Sequence, residues 1–216
     1  MSKTLGNILL ASGAVVGGYF AYKYLRGVRL RSQLAYQAES ERKKWEDYSE
    51  TDPETANIIA DYWRTGVGWD WVDSEVVQTE SFQEQYAWSA AFISWLMRVS
   101  GAKDDFFYSS THAGYLVDAK NNRLNNRGRF KAYDIVEQKP RKGDVICRTR
   151  AASRDDLDYY NILATDKLHC DVVTGKENGY MTAVGGNLSN KVKQIEISVD
   201  NNGFVNEPDY FAIIKT

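Results

Sequence analysis

The chain of 216 residues contains few histidines, cysteines and prolines: two, two and three, respectively. Neither histidine has a second metal-binding side chain at the spacing that zinc sites use, so we expect no metal and no other cofactor. The net charge of −2 argues against a nucleic acid partner, because such binding requires a basic surface. No internal repeat or low-complexity tract is present, so a single ordinary domain is expected.

Long apolar runs are also scarce, and the one exception lies near the N-terminus. No charged residue occurs between Leu5 and Tyr22, a length close to the roughly 20 residues with which a helix spans a bilayer. We therefore predict a transmembrane anchor over residues 1–26 that contacts the lipid bilayer through residues 5–25. Gly13 and Gly17 have the small-xxx-small spacing that permits self-association of such helices. The alternative is a secretory signal peptide, although bulky aromatic residues follow the run where a cleavage site needs small ones.

The next segment, residues 27–50, is polar and charged with scattered apolar positions. We interpret it as a helical stalk that acts as a solvated connector. The pattern Thr51-Asp52-Pro53-Glu54 then has capping-box spacing, with proline near the helix start. The folded domain is therefore predicted to occupy residues 51–216, a length ample for one domain with its own core.

A helix is predicted from residue 88 onward, with Ser89 in its first turn. In that turn, unpaired backbone N–H groups and the positive end of the helix dipole favour negative charge on an attacking oxygen and on a developing oxyanion. The alternative is that Ser89 only satisfies a free N–H, as serine often does at helix starts. Gly101 is a natural end for this helix. The apolar residues that recur at helical spacing are Trp88, Ala91, Phe92, Trp95, Leu96 and Val99.

Three short apolar segments rich in Val and Ile are predicted to be strands, at residues 143–147, 168–173 and 181–184. Because side chains alternate along a strand, His169 and Asp171 point to one face and Cys170 to the other. Cys147 and Cys170 lie on strands that fit as neighbours, so a disulfide and two buried thiols are both compatible with the sequence.

Two glycines after the last of these strands, Gly185 and Gly186, predict a tight bend. The bend leaves Asn187 at a strand end, where its amide oxygen is able to accept a hydrogen bond from an imidazole N–H. In chain order, Ser89, His169 and Asn187 supply a hydroxyl, an imidazole and a carboxamide. These are the parts of a nucleophile, base and orienter relay, which indicates a hydrolase or a descendant of one.

Four further residues are candidates for the surroundings of this relay. Glu84 fits a capping box with Ser81, which we favour, and the alternative is that it lines the substrate cleft. His112 either caps or braces a following helix or lies in the cleft as a neighbour of the catalytic residues. Asp171 shares the face of His169, although aspartates at strand ends are ordinarily solvated. Trp88 adjoins Ser89 and is the fourth candidate for the cleft.

The segment from Trp88 to Trp95 resembles the Trp-Cys-Ala-Ala-Phe-Val-Ser block of CHAP-type and NlpC-like cell-wall amidases, with serine in place of their cysteine. The serine version, together with four further blocks in the same order, resembles the family catalogued as domain of unknown function 2272. The resemblance spans about residues 58–190. The four blocks are Ser110-Thr111-His112-Ala113, Lys142-Gly143-Asp144, His169-Cys170-Asp171 and Gly185-Gly186-Asn187.

This resemblance implies a papain-like α+β fold, in which a nucleophile helix packs on a small antiparallel β-barrel or sheet. It also implies Ser89 as nucleophile, His169 as base and Asn187 as orienter, with cleavage of an amide bond in a peptidoglycan peptide. Serine changes the chemistry, because a thiol is partly ionised near neutral pH and a hydroxyl is not. We therefore predict that the Ser89 hydroxyl approaches an imidazole nitrogen of His169, with Asn187 on the other nitrogen.

Three functional classes fit the sequence. The first is a membrane-anchored peptidoglycan amidase or endopeptidase that contributes to cell-wall degradation or lysis. The second is an inactive relative that binds glycopeptide through the same cleft, and the third is a structural membrane protein, for example in a virus particle. The predicted location is a bacterial envelope or virion membrane with a single pass, and secretion after signal cleavage is the alternative.

The charge distribution around the predicted anchor conflicts with a role at the cell wall. Lys23, Arg26, Arg29 and Arg31 directly follow the apolar run and favour a cytoplasmic location for the rest of the chain. A wall hydrolase must act on the other side of the membrane. The bias is therefore overridden, or the protein is carried by a virus particle or a secretion machine.

Overall fold

The computed structural model describes the backbone from residue 3 to residue 216 and the side chains of residue 21 and residues 24–216. Five α-helices precede and accompany a single sheet. A π-helical turn, Tyr62–Val67, continues the second helix, and two short 3₁₀ turns lie at Val76–Gln78 and Lys103–Asp105. The α-helices are α1 (Lys3–Lys44), α2 (Pro53–Asp61), α3 (Glu80–Gln85), α4 (Ser89–Val99) and α5 (His112–Leu124).

The sheet has six antiparallel strands in the order β1-β6-β2-β3-β4-β5. The mixed α+β class expected from the sequence is confirmed, and so are the three predicted strands, although β2 starts two residues later than predicted. Gly143 has a positive φ of 89° and belongs to the turn that leads into β2. The strands are β1 (Lys131–Asp134), β2 (Val145–Thr149), β3 (Leu168–Glu177), β4 (Tyr180–Gly185), β5 (Lys193–Ile197) and β6 (Tyr210–Lys215).

The two faces of the sheet bury two separate groups of apolar side chains. One face joins the helices in the main core and includes Cys147, Cys170 and Val172. The other face carries a smaller cluster that includes Ile146 and Val173. This division follows from the alternation of side chains along each strand.

Cys147 and Cys170 form a disulfide across β2 and β3, which decides between the two alternatives left open by the sequence. The two residues are directly paired in the strand register, and their Cα atoms are 4.1 Å apart. The predicted alternation is confirmed here, since His169 and Asp171 are hydrogen-bonded to each other while Cys170 is bonded to Cys147.

The second half of α1 packs into the main core, so the interpretation of residues 27–50 as a solvated connector was wrong. Leu30, Leu34 and Ala38 recur every four residues and are buried, as one face of a helix must be when it docks. Gly143 allows this docking, because a Cβ at that position would lie 2.5 Å from the carbonyl oxygen of Arg31. Charged residues lie between these apolar ones, so the apolar face of the helix was not recognised in the sequence.

The predicted membrane anchor of residues 1–26, with Gly13 and Gly17, falls mainly on residues whose side chains lie outside the described part. Among the residues that were described, no helix is both long enough and apolar enough to cross a bilayer. The anchor therefore stays a prediction.

Neither predicted capping box forms. The helix start at Pro53 is confirmed, but the N-cap is Asp52 and its side chain makes no capping bond. The Asp52 carboxylate instead accepts a hydrogen bond from the N–H of Ser49, at 2.6 Å. Helix α3 begins at Glu80, which places Ser81 inside the helix, where it is not an N-cap. Glu84 is therefore not part of a cap.

Candidate active site

Ser89 is the first residue of α4, in the turn where the sequence predicts it. The N–H of Phe92 donates to the carbonyl of Trp88 at 2.9 Å. The N–H groups of the three residues between them lie before this bond and have no acceptor within the helix. Ser89 is only 1% exposed, yet it lines a cavity of about 650 Å³. Its hydroxyl therefore lies at the floor of that cavity, next to the positive end of a helix.

The partner of the Ser89 hydroxyl is His112, the first residue of α5. Ser89 Oγ and His112 Nε2 are 2.7 Å apart. Thr111 is the N-cap of α5, and its side-chain oxygen accepts from the N–H of Gly114 at 3.2 Å, which fixes the start of the helix beside the start of α4. Two helix N-termini thus present a hydroxyl and an imidazole to each other.

The second ring nitrogen of His112, Nδ1, is hydrogen-bonded to the hydroxyl of Tyr115, one helical turn along α5. In the tautomer with its proton on Nδ1, His112 donates to the Tyr115 oxygen and accepts the Ser89 proton at Nε2. Burial raises the pKa of Tyr115 well above its usual range, and the nearby charge of Asp171 raises it further. The phenol therefore stays protonated and holds the imidazole in place.

Burial lowers the pKa of His112 well below its usual value of about 6.5. Electrostatic interactions with His169, Arg150 and Arg148 lower the pKa of His112 further, in that order. His112 is consequently neutral near pH 7, the state in which an imidazole is able to accept a proton.

His169 lies beside this pair but does not reach the hydroxyl, so the predicted Ser89–His169 bond was wrong. The ring centroids of His169 and His112 are 5.0 Å apart. His169 Nε2 is hydrogen-bonded to Asp171 Oδ1 at 3.0 Å, and Asp171 Oδ2 lies 3.7 Å from Nε of Arg148. His169 is therefore paired with a carboxylate of its own strand. His112, at the start of α5, is the histidine that contacts Ser89.

The predicted bond between Asn187 and the imidazole of His169 is also not formed. Within the described residues, Asn187 makes no side-chain hydrogen bond to either histidine, and Asp171 occupies Nε2 of His169. Asn187 is half-buried and has a positive φ of 55°. The carboxylate of Asp171 thus fills the position that the sequence assigned to the amide.

The Gly185-Gly186 pair serves close packing at this site. A Cβ on Gly185 would overlap Asp171 Oδ1 and would lie 3.0 Å from His169 Nε2. A Cβ on Gly186 would lie 2.8 Å from the side chain of Phe92, one turn after Ser89. Gly185 therefore lets the end of β4 approach the His169–Asp171 pair, and Gly186, directly after β4, lets the chain approach the helix of the candidate nucleophile.

Two other candidates take different places. Trp88 is buried in the core and does not line the cavity; its Nε1 donates to Glu50 at 2.7 Å and its ring stacks on Trp45 at 5.0 Å. Glu84 is exposed and lines the cavity, which agrees with the less favoured of its two interpretations.

The remaining cavity wall is aromatic on one side and charged on another. The rings of Trp63 and Trp69 are stacked 4.8 Å apart, and Tyr86 contacts Trp69 edge-on. Arg150 and Lys167 also line the space. Within the described part of the chain, no group of three or more His, Cys, Asp or Glu side chains is arranged to hold a metal ion.

Sequence reasoning did not identify Tyr115, Trp63 or the pairing of His112 with Ser89. The signal for His112 was present, because Thr111 before an apolar run is an N-cap pattern that places His112 in a first helical turn. Nothing in the spacing indicated that this turn would meet the first turn of α4.

These observations define an α+β protein with a buried serine–histidine pair below an aromatic-lined cavity. The chain belongs to the family described as "Uncharacterized protein conserved in bacteria (DUF2272)", whose model matches residues 35–214. The match begins within α1, in agreement with the packing of that helix into the core. No curated protein and no solved structure matches the chain.

Proposed function

We propose that this protein is a serine hydrolase that cleaves an amide bond in a peptidoglycan peptide, with Ser89 as nucleophile and His112 as general base. The observation that carries the proposal is the 2.7 Å contact between the Ser89 hydroxyl and a neutral imidazole at the floor of a cavity. A hydroxyl needs such a base within hydrogen-bond reach, since it is not ionised on its own.

The reaction follows from this arrangement. The Ser89 proton passes to His112 Nε2 while Oγ bonds to the substrate carbonyl carbon, and the free N–H groups at the start of α4 stabilise the resulting oxyanion. The intermediate then releases the amine, which takes the proton back from Nε2. A water molecule repeats these steps on the acyl-enzyme and releases the acid.

The choice of substrate rests on the resemblance to CHAP-type and NlpC-like amidases and on the papain-like arrangement that it implies. Packing of Phe92 on α4 against Gly186, the residue directly after β4, supports a nucleophile helix placed on an antiparallel sheet. The stacked rings of Trp63 and Trp69 suit a substrate that carries apolar and sugar faces.

The disulfide supports a location outside the cytoplasm, since structural disulfides persist in oxidising compartments. We propose that the domain is held at a bacterial envelope or virion membrane by residues 1–26 and faces away from the cytoplasm. Lys23 and the arginines after it favour the opposite orientation, so the chain requires a route that overrides them.

The burial of Ser89 favours one alternative, an inactive relative that binds glycopeptide in the same cavity. A protein that only scaffolds a membrane or a virus particle is the third class. Both alternatives predict no turnover, so they are outcomes of the same test.

Replacing Ser89 by alanine should abolish the release of fragments from purified peptidoglycan, as measured by mass spectrometry. Ser100→Ala is the matched control, because Ser100 lies at the other end of α4 and its buried hydroxyl has no hydrogen-bond partner in the described part of the chain. The control should cleave like the wild type. Equal fragment release by Ser89→Ala and the wild type would refute the serine mechanism.

The pH dependence of cleavage should show an acid limb below the usual range of histidine. Only neutral His112 accepts the Ser89 proton, and its pKa lies well below about 6.5 in the folded protein. As the pH falls, activity should therefore persist through pH of about 6.5 and decline only in more acidic solution. The measurement is kcat/KM against pH, and a midpoint at or above the usual histidine value would contradict the assignment.

A further inference from the structure

Arg150 follows β2 directly and lines the cavity together with Ser89 and His112. Its guanidinium forms no ion pair or hydrogen bond within the described residues. The two nearest arginines in the chain do not line the cavity: Arg148 lies 3.7 Å from Asp171, and Arg154 pairs with Asp166 at 3.0 Å. Arg150 is therefore the arginine of this segment whose donors remain available to the cavity.

The other charged groups of the cavity leave an excess of positive charge on this side. The lining contains Glu84, Asp166 and Lys167 besides Arg150 and the neutral His112. Asp166 is neutralised by Arg154, so among the described residues of the lining Glu84 is the one remaining negative charge against the two positive charges of Arg150 and Lys167. The positive charge of Arg150 also helps to lower the pKa of His112.

A guanidinium in this position is suited to a carboxylate. Arginine presents parallel N–H donors that match the two oxygens of a carboxylate, and such bidentate pairs are stronger than neutral hydrogen bonds. Arg150 and Ser89 line the same cavity, so a ligand held by Arg150 would place its neighbouring atoms near Ser89.

We infer that Arg150 binds a free carboxylate of the substrate close to the scissile amide, with Lys167 on the same wall, so that the substrate is an acidic peptide. This inference rests on the proposed function and adds the substrate class to it. A neutral peptide of the same shape leaves the guanidinium without an anion and should be cleaved less efficiently.

Binding tests the carboxylate site without requiring turnover. The probes are succinate and its neutral analogue succinamide, titrated against the full-length protein by tryptophan fluorescence, since Trp63 and Trp69 line the cavity. We expect succinate to bind at least tenfold more tightly than succinamide, and Arg150→Gln to lose that preference. Arg141→Gln is the matched control, because Arg141 is exposed and does not line the cavity, and it should retain the preference.

Kinetics test the same site during the reaction. The ratio of kcat/KM for the nitrophenyl monoester of succinate to that for nitrophenyl acetate should fall at least tenfold in Arg150→Gln and stay constant in Arg141→Gln. An unchanged ratio together with an unchanged preference for succinate would overturn the inference, while cleavage dependent on Ser89 would leave the proposed function in place. Conversely, succinate binding through Arg150 without turnover would support the carboxylate site and refute the hydrolase.

Discussion

Replacing His112 by glutamine should lower the rate of peptide cleavage by about 10²–10⁴-fold, the usual contribution of a general base. Glutamine preserves much of the volume and polarity of the side chain but accepts no proton, so the Ser89 hydroxyl is left unactivated. Single-turnover rates with peptidoglycan fragments give the effect on the chemical step. The thermal unfolding midpoint of each variant shows whether a loss of rate is instead a loss of fold.

His169→Gln is the informative comparison, because the resemblance to cell-wall amidases implies His169 as the base, whereas the structure places His112 at the hydroxyl. We expect the change at His169 to lower the rate clearly less than the change at His112. Since His169 is fully buried and bonded to Asp171, the variant should also be less stable. The reverse order of the two rates, with both variants folded, would assign the base to His169.

The local elements of the site were predictable because each has a strong pattern in a short stretch of sequence. Apolar residues at helical spacing and the terminal Gly101 place Ser89 in a first turn, and the apolar runs around Cys147 and Cys170 give two strands that pair. Each of these patterns depends on neighbouring residues, which is where propensity and periodicity carry information.

The tertiary contacts of the site were not predictable in the same way. Ser89 and His112 are separated by 23 residues, and the turn geometry between α4 and α5 decides whether they meet. The partner of His169 Nε2 is the carboxylate two residues along its own strand, and Nδ1 of His169 has no hydrogen-bond partner within the described residues. The position of β6 inside the sheet, next to the edge strand β1, depends on pairing with β1 and β2, which lie far away in the sequence.

Helix α1 shows how a distant element supports the cavity. Glu41 is buried and accepts a hydrogen bond from the hydroxyl of Tyr62 at 2.7 Å, and Trp45 donates to the same hydroxyl at 3.0 Å. Burial raises the pKa of Tyr62 well above its usual range, so the phenol remains a donor to Glu41. Tyr62 begins the π-helical turn that carries Trp63 to the cavity wall, so α1 fixes one side of the site.

This π-helical turn is also packed tightly against the nucleophile helix. A Cβ on Gly66 would lie 2.7 Å from the carbonyl oxygen of Ala91 and from the N–H nitrogen of Trp95. The backbones therefore touch directly, which leaves α4 little freedom to shift relative to Trp63. Because π-helical turns often occur at functional sites, this turn agrees with the placement of the cavity.

Gly185→Ala should destabilise the protein by about 2–4 kcal/mol, because the added methyl group overlaps the carboxylate of Asp171 and breaks its buried bond to His169. Gly175→Ala is the matched control in the neighbouring strand, since its Cβ would lie 3.5 Å from Thr182 Oγ1, an ordinary contact. It should change stability by less than about 1 kcal/mol. The free energy of unfolding from denaturant titration gives both values. If the overlap is the cause, Asp171→Ala should reduce the cost of Gly185→Ala, and an equal cost in both backgrounds would show that Gly185 is needed for another reason.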